Sequence, residues 1–382
     1  MSVRKAIITG GGIGGLTLAG ALTRRGIDVT VLERADAVRA RGLGFTVWPN
    51  ATAALHSAGL LDAVRKVAEP ITSATLRVNS GRKLTVIDMA SWGERVGFPA
   101  LSVTRPELLT VLADACGADI RFRCEVASVT PQGGVRLTSG EELRADVVVG
   151  ADGVGSAVRR SLLPAHQNTL DQPMITGWQG VVPRPWLGGI ALDMIFGPTG
   201  AAGILGLPGD RTYWFLQAPT VRMPTDGSPY TEGWSPVIKE LVAATPADSL
   251  WRDDIRDRKP VSDWGRGAVT LLGDAAHTIM PNLGQGACLA MEDAAVLAVR
   301  LAAAGEATAA LRDYEKARFP RVRGMYVNAR RAARMQRLSP FVRDGLLSVA
   351  PFALSRMFTG PGRPIPGLAP LARKDRRSPP TR

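Results

Sequence analysis

The feature that most constrains this chain stands at its start. Gly10-Gly11-Gly12-Ile13-Gly14-Gly15 follows an apolar run within residues 3–9 and precedes Leu16 to Arg25, whose composition is helical. A second apolar run, Asp28-Val29-Thr30-Val31-Leu32-Glu33, comes next. Strand, glycine turn, helix and strand read as a βαβ unit, which commits the N-terminus to a parallel sheet. The glycines satisfy G-x-G-x-x-G. Glycine is needed there for the tight turn, for approach of the backbone to a pyrophosphate and for helix–strand packing. Gly12, Gly14 and Gly15 therefore mark an anion site at a helix N-terminus. Glu33 ends the second strand at about the 20-residue distance expected for a carboxylate that binds ribose hydroxyls. Ala6 to Leu22 is apolar enough to imitate a signal peptide, but its glycines and the following Arg24-Arg25 fit strand, turn and helix better.

Two later motifs have the same texture. Val147-Val148-Val149-Gly150 runs into Ala151-Asp152-Gly153, with Arg159 inside the helix that follows. Leu272-Gly273-Asp274-Ala275-Ala276-His277 ends another buried strand and places a carboxylate where it can bind a polyol. Pro281-Asn282-Leu283-Gly284-Gln285-Gly286-Ala287-Cys288 then opens a long helix that carries Glu292-Asp293-Ala294. The N-terminus of that helix favours an anion or an electron-rich ring. Between about 171 and 261 the chain is rich in Pro, Gly and Trp with short apolar runs, as in an antiparallel sheet. Helices dominate from about 284 to 357, and Gly360 to Arg382 has the composition of a loose tail.

In order and spacing these three motifs resemble the single-component class A flavoprotein monooxygenases, of the p-hydroxybenzoate and salicylate hydroxylase type. The resemblance spans about residue 3 to about residue 350. It implies an α/β fold: a Rossmann-like FAD-binding domain, an inserted antiparallel β-sheet substrate domain and C-terminal helices. The expected boundaries are 1–75, 100–170 and 262–320 for the FAD-binding domain and 76–99 with 171–261 for the substrate domain. Residues 321–358 are expected as C-terminal helices and 359–382 as a basic, flexible tail. By motif, Gly12, Gly14 and Gly15 would lie at the FAD pyrophosphate, and Glu33 at the adenosine ribose with Arg34 beside it. Val126 would meet adenine, Arg105 and Thr46 the flavin, and Asp152 the region shared by FAD and NAD(P)H. Asp274 would bind the ribityl chain. Pro281, Gly284, Gln285, Gly286, Ala287 and Cys288 would wrap the flavin ring, with Pro281, Gly284 and Gln285 at the reacting face. Arg39 and Arg41 are candidate contacts for a nicotinamide phosphate.

The activity so implied is insertion of one oxygen atom from O2 into an aromatic or polycyclic small molecule. NAD(P)H reduces FAD as a transient co-substrate, and O2 adds at the flavin C4a carbon to form the oxygen donor. FAD carries the hard chemistry, and the protein supplies placement and a dry pocket. Trp48, Trp178, Met194, Phe196, Ile204, Leu207, Tyr213 and Phe215 are the candidate pocket residues, with Tyr213 also a catalytic candidate through its hydroxyl. A urate-type substrate would require an arginine near 201–205, where the chain has Ala-Ala-Gly-Ile-Leu. Two alternatives stay open: a reductase or dehydrogenase of the same fold that inserts no oxygen, and a non-catalytic flavin- or ligand-binding protein.

Composition narrows the partners. Three His and three Cys argue against a metal centre and a disulfide scaffold, and point to the cytoplasm. The formal charge is +13, and from Arg318 onward stand 15 basic residues against Asp344 and Asp375. The excess thus sits at the C-terminus and suits an acidic carrier protein or another acidic surface. No basic–aromatic interleaving suggests nucleic acid, and no apolar run approaches the ~20 residues of a membrane-inserted helix.

Overall fold

The computed structural model describes residues 3–38, 44–220, 227–349 and 355. Arg39, Arg41 and the tail 359–382 lie outside these described residues.

Strand β1 (Lys5–Thr9) leads through the glycine turn into helix α1 (Ile13–Thr23) and strand β2 (Asp28–Leu32). Next come β3 (Gly44–Val47), α2 (Pro49–Ser57), α3 (Leu61–Val64) and β4 (Glu69–Pro70). They are followed by β5 (Ser73–Val78), β6 (Lys83–Asp88), α4 (Met89–Val96), β7 (Leu101–Thr104), α5 (Arg105–Ala115) and β8 (Asp119–Arg121). A small meander of β9 (Val126–Val129), β10 (Gly134–Leu137) and β11 (Glu142–Arg144) precedes β12 (Val147–Gly150) and α6 (Ala157–Leu162). Then come β13 (Ile175–Val182), β14 (Ala191–Phe196), β15 (Ala201–Leu207), β16 (Arg211–Pro219), α7 (Pro236–Ala243) and β17 (Leu250–Ile255). The chain closes with β18 (Val269–Leu271), α8 (Gly286–Ala303), α9 (Ala307–Gln336) and α10 (Pro340–Val349).

The first sheet is parallel throughout, in the order β18-β12-β1-β2-β8. Its central strands are buried on both faces, with Ile7, Ile8, Val147, Val148 and Val149 at most 1% exposed. That burial follows from helices covering both faces, as βαβ crossovers require. Helix α1 is apolar nearly all round and buried from Ile13 to Leu22, so packing rather than amphipathicity fixes it. It lies close on α8: a Cβ on Gly14 would come within 2.6 Å of Leu272 Cδ2 and 3.0 Å of Ala290 Cβ.

The second large sheet has seven strands, β17-β13-β16-β15-β14-β5-β6. It is antiparallel except at β14–β5, where Ala191 to Phe196 run parallel to Ser73 to Val78. This one parallel pair inside the expected antiparallel sheet arises because β5, from a distant part of the chain, inserts between β14 and β6. Residues 51–68 have helical composition but form two pieces, α2 and α3, broken at Gly59 with φ 73°. A third sheet, β3-β7-β4, meets the seven-stranded sheet where Ser102 Oγ donates to Gly206 O at 2.6 Å, and meets α8 at Thr46.

Candidate functional site

The glycine turn is built around conformations that only glycine tolerates. Gly10 has φ 102°, and a Cβ on Gly15 would lie 2.1 Å from Gly10 O. Glu33 reaches back from β2: its Oε2 accepts from the Gly11 N–H at 2.7 Å and its Oε1 from the Ala35 N–H at 2.8 Å. No side chain caps α1, and a Cβ on Gly12 would meet nothing within 4 Å. The first N–H groups of α1 thus open onto free space. Arg34 is exposed beside this turn, and Val126 starts β9 near the end of β2, where the Cys124 N–H donates to Glu33 O.

The second motif lies against the first. A Cβ on Gly10 would come within 2.4 Å of Ala151 O. Asp152 Oδ2 accepts from the N–H groups of Ala157 and Val158, which fixes the start of α6. Arg159 is buried and donates through Nη1 to the carbonyls of Ala275 and Ala276, both at 2.9 Å. It therefore bolts the second motif to the third. Desolvation, then the neighbouring Arg258, lowers the Arg159 pKa to about 10.

In the third motif the Asp274 side chain is exposed to solvent although protein surrounds its carboxyl, as at the floor of a cleft. Desolvation raises its pKa, against the opposing pull of His277, Arg105 and Arg258. Arg105 thus lies within electrostatic reach of Asp274.

The start of α8 is held by a buried clamp. Glu292 accepts from Asn50 Nδ2 at 2.5 Å, and Asn50 Nδ2 also donates to Gln285 Oε1 at 3.1 Å. Arg318 pairs with Glu292 at 2.7 Å and with Asp293 at 2.6 Å, and Arg321 pairs with Glu292. Asp293 Oδ2 receives the Gly273 N–H at 3.0 Å and lies 2.6 Å from His277 Nε2. Burial alone would raise the Asp293 pKa, but His277 and Arg318 bring it down to about 2. His277 thus serves the clamp. The sequence flagged Glu292 and Asp293 only as part of a motif and Asn50 only as part of a segment resembling one beside the flavin; it missed their pairing and Arg318, because no local pattern announces a partner 242 residues away.

Above α8 lies β3. Cys288 Sγ donates to Thr46 O at 3.7 Å, and a Cβ on Gly284, whose φ is 61°, would come within 3.1 Å of Trp48 Nε1. Burial pushes the Cys288 thiol up to about 12, so it is no thiolate nucleophile at neutral pH. Pro281 starts a short 3₁₀ turn that ends at Gly284. No side chain caps α8, and a Cβ on Gly286 would meet nothing within 4 Å.

The seven-stranded sheet turns one face to this region. On β16, Tyr213 and Phe215 alternate with Thr212, Trp214 and Leu216. The Tyr213 ring lies on the backbone of Gly44, where a Cβ would be 2.2 Å from Tyr213 Cγ. Its hydroxyl donates to Gln179 Oε1 at 3.0 Å. Burial raises the Tyr213 pKa far above its ordinary value. Phe215 occupies the space beside Gly203, where a Cβ would be 2.2 Å from Phe215 Cε1. Met194, Phe196 and Leu207 share this face but are buried in the core with Trp48. Of the eight candidate pocket residues only Tyr213 and Phe215 keep partial exposure. Gln179 was missed, though its alternation with Trp178 on β13 was the available signal.

Trp178 and Ile204 do not fit the expected pocket. Both project from the opposite face into a cluster with Trp214, Trp234, Ile238 and Leu241 beneath α7. Strand alternation sent them there, one residue out of phase with Tyr213 and Leu205.

The residues present fit a flavin nucleotide. Two uncapped helix N-termini, a carboxylate at Asp274, and two buried unpartnered donors, Trp48 Nε1 and Gln285 Nε2, are the groups such a cofactor needs.

Comparison with known proteins agrees with this geometry. A family model described as "FAD binding domain" matches residues 4–329. The chain is 35% identical over 332 residues to the aurachin C monooxygenase/isomerase of Stigmatella aurantiaca, covering 82% of this chain and 85% of that protein. It is 33% identical to an FAD-dependent urate hydroxylase of Klebsiella pneumoniae subsp. pneumoniae, covering 86% and 89%. Klebsiella pneumoniae HpxO, solved with FAD and uric acid, superposes with a TM-score of 0.83 at 30% identity, covering 94% of this chain and 96% of that one.

Proposed function

The chain belongs to the FAD binding domain family and is an FAD-dependent monooxygenase, and from that premise we propose that its substrate is a weakly polar aromatic or polycyclic molecule with one hydrogen-bonding group. The observation that carries this reading is the Tyr213–Gln179 pair, set beside Phe215 over Gly44 on a face whose other polar members, Arg211 and Gln217, stand toward the two ends of β16. One convergent polar pair within apolar walls is the usual form of a small-molecule site. Phe215 fills the room beside Gly203, so the strand 201–205 presents no cation to an anionic or strongly polar ring.

When bound, FAD supplies the redox chemistry, passing electrons from a nicotinamide to O2 and one oxygen atom to the substrate. We assign the nicotinamide role to NAD(P)H. The rest falls to this chain's own residues. The N–H groups at Gly12, Gly14 and Gly15 would hold the pyrophosphate, with Glu33 and Arg34 at the ribose and Val126 at adenine. Asp274 and Arg105 would hold the ribityl side, with Asp152 nearby. The N-terminus of α8 at Gly286 and Ala287 would favour negative charge on the ring edge, as an oxyanion hole does. Thr46, Pro281, Gly284, Gln285 and Cys288 would frame the ring. Met194, Phe196 and Leu207 would back the wall that excludes water. Tyr213 keeps its proton across the neutral range, so it would orient a substrate hydroxyl as donor and acceptor, and it would not remove a proton by ionising.

Residues 1–75, 100–170 and 262–320 read as the cofactor domain and 76–99 with 171–261 as the substrate domain, a division the two separate large sheets support except at 75/76, because β5 from Ser73 onward already belongs to the seven-stranded sheet. Three unpaired cysteines support the cytoplasm. A carrier-bound substrate remains a finer proposal, supported by the basic C-terminus.

The test is NAD(P)H oxidation in air by the FAD-loaded protein, with and without a panel of polycyclic aromatics, scoring hydrogen peroxide alongside. A compound that speeds oxidation while peroxide stays low supports the reading. Stimulation by small polar or anionic rings alone would contradict it.

A further inference from the structure

Helix α10 is fixed to the protein by one side only. Arg343 and Leu347, four residues apart, point inward. Arg343 Nη1 donates to Gly197 O at 2.6 Å, and its guanidinium stands 5.9 Å from the Phe196 ring centroid. Arg82 Nη2 donates to Ser348 Oγ at 3.1 Å. These contacts seat the helix on the end of β14 and on the β5–β6 turn.

The other side carries Phe341, Val342, Gly345 and Leu346. Their spacing puts them on one helical face. Phe341 is 91% exposed, Val342 48% and Leu346 53%. Among the described residues nothing covers them. Such a cluster of large exposed side chains on one helix marks an interaction surface.

A basic stripe leads to this face. Arg323, Val327, Arg331, Arg334 and Leu338 follow one another at three- or four-residue intervals toward the end of α9, all exposed. From Arg318 to Val349 the single acidic residue is Asp344, and it is paired with Arg343 at 2.8 Å. Among the described residues Arg323, Arg331 and Arg334 form no ion pair, and the 33 residues after Val349 add seven basic residues against Asp375.

We propose that α10 and the end of α9 form a peripheral docking face for an anionic lipid surface. Phe341, Val342 and Leu346 would enter the headgroup–acyl boundary, and Arg331 and Arg334 would meet lipid phosphates. Charge complementarity and the protruding apolar face together select a lipid surface, because a deformable bilayer accepts a convex wedge that a preformed protein groove must match in shape. No described helix is long and apolar enough to cross a membrane, so the contact is interfacial. Phe196, under Arg343, belongs to the cleft-side face of the substrate sheet. Docking would bring that sheet close to dissolved lipophilic compounds, a consequence that rests on the apolar-substrate reading; the docking itself does not.

The experiment is co-sedimentation of the full-length, FAD-loaded protein with phosphatidylcholine vesicles, with and without phosphatidylglycerol. The expected result is binding to the phosphatidylglycerol vesicles that falls at high salt. The double variant F341D/L346D should bind at least about tenfold more weakly, with flavin absorbance and melting temperature unchanged. Failure to bind phosphatidylglycerol vesicles overturns the proposal. So does wild-type binding by F341D/L346D, including the case where only deletion of residues 361–382 abolishes it. A dimer in solution that F341D/L346D converts to monomer would assign the face to a second copy, and would overturn it too.

Discussion

At Tyr213 one side chain combines an apolar ring, a buried hydroxyl and a close fit on Gly44. Tyr213→Phe removes the hydroxyl and leaves the packing. We expect kcat/KM for the best substrate to fall about tenfold, the worth of roughly one hydrogen bond to a bound ligand, with more peroxide per NAD(P)H consumed. The pH–rate profile between pH 6 and 9 should keep its shape, because the hydroxyl does not ionise there; a lost basic limb in steady-state kinetics would show that it does. Residue type alone identified Tyr213 and Phe215 as candidates, and the glycine motif was legible because its backbone demands are local. Trp178 and Ile204 were equally apolar and equally placed on strands. Alternation separates two faces of a strand but does not say which face meets the site. The Gln179 partner was hidden for the same reason.

Among the elements, α8 is the one on which the three motifs converge. Its N-terminus is aimed by Asn50 and Glu292, and Asp293 ties it to the Gly273 turn and His277. These are buried charges, and removal of one partner leaves the other uncompensated. Asp293→Asn should therefore cost about 3 kcal/mol of stability near neutral pH and weaken FAD retention. The pH dependence follows from the depressed Asp293 pKa. An unfolded aspartate titrates near pH ~4, so the contribution is complete above that and is lost as pH falls toward the folded value of about 2. Urea unfolding of wild type and variant should converge over that acid window. A gap that stays constant down to the lowest pH would show that Asp293 is not the titrating member of the clamp. A helix starting near Gly284 was readable from its glycines and proline. The clamp was not, since its partners come from α2, α8 and α9 and meet only on folding.

The whole molecule is built on two large sheets of different construction, with the small sheet β3-β7-β4 in contact with the seven-stranded one and with α8. The parallel sheet was legible in the sequence because β1, β12 and β18 each run into a glycine-containing turn. The seven-stranded sheet was legible as a change of texture, but the parallel entry of β5 beside β14 was not, because pairing across 118 residues leaves no local trace. Together they support one central claim, that a carbon-bound oxygen atom on the product comes from O2. The direct measurement is turnover of the stimulating compound under oxygen-18 gas, with the product weighed by mass spectrometry. The account predicts one atom of oxygen-18 in the product. A product altered by two hydrogens and free of label would contradict it and assign the chain to reductase or dehydrogenase chemistry on the same fold.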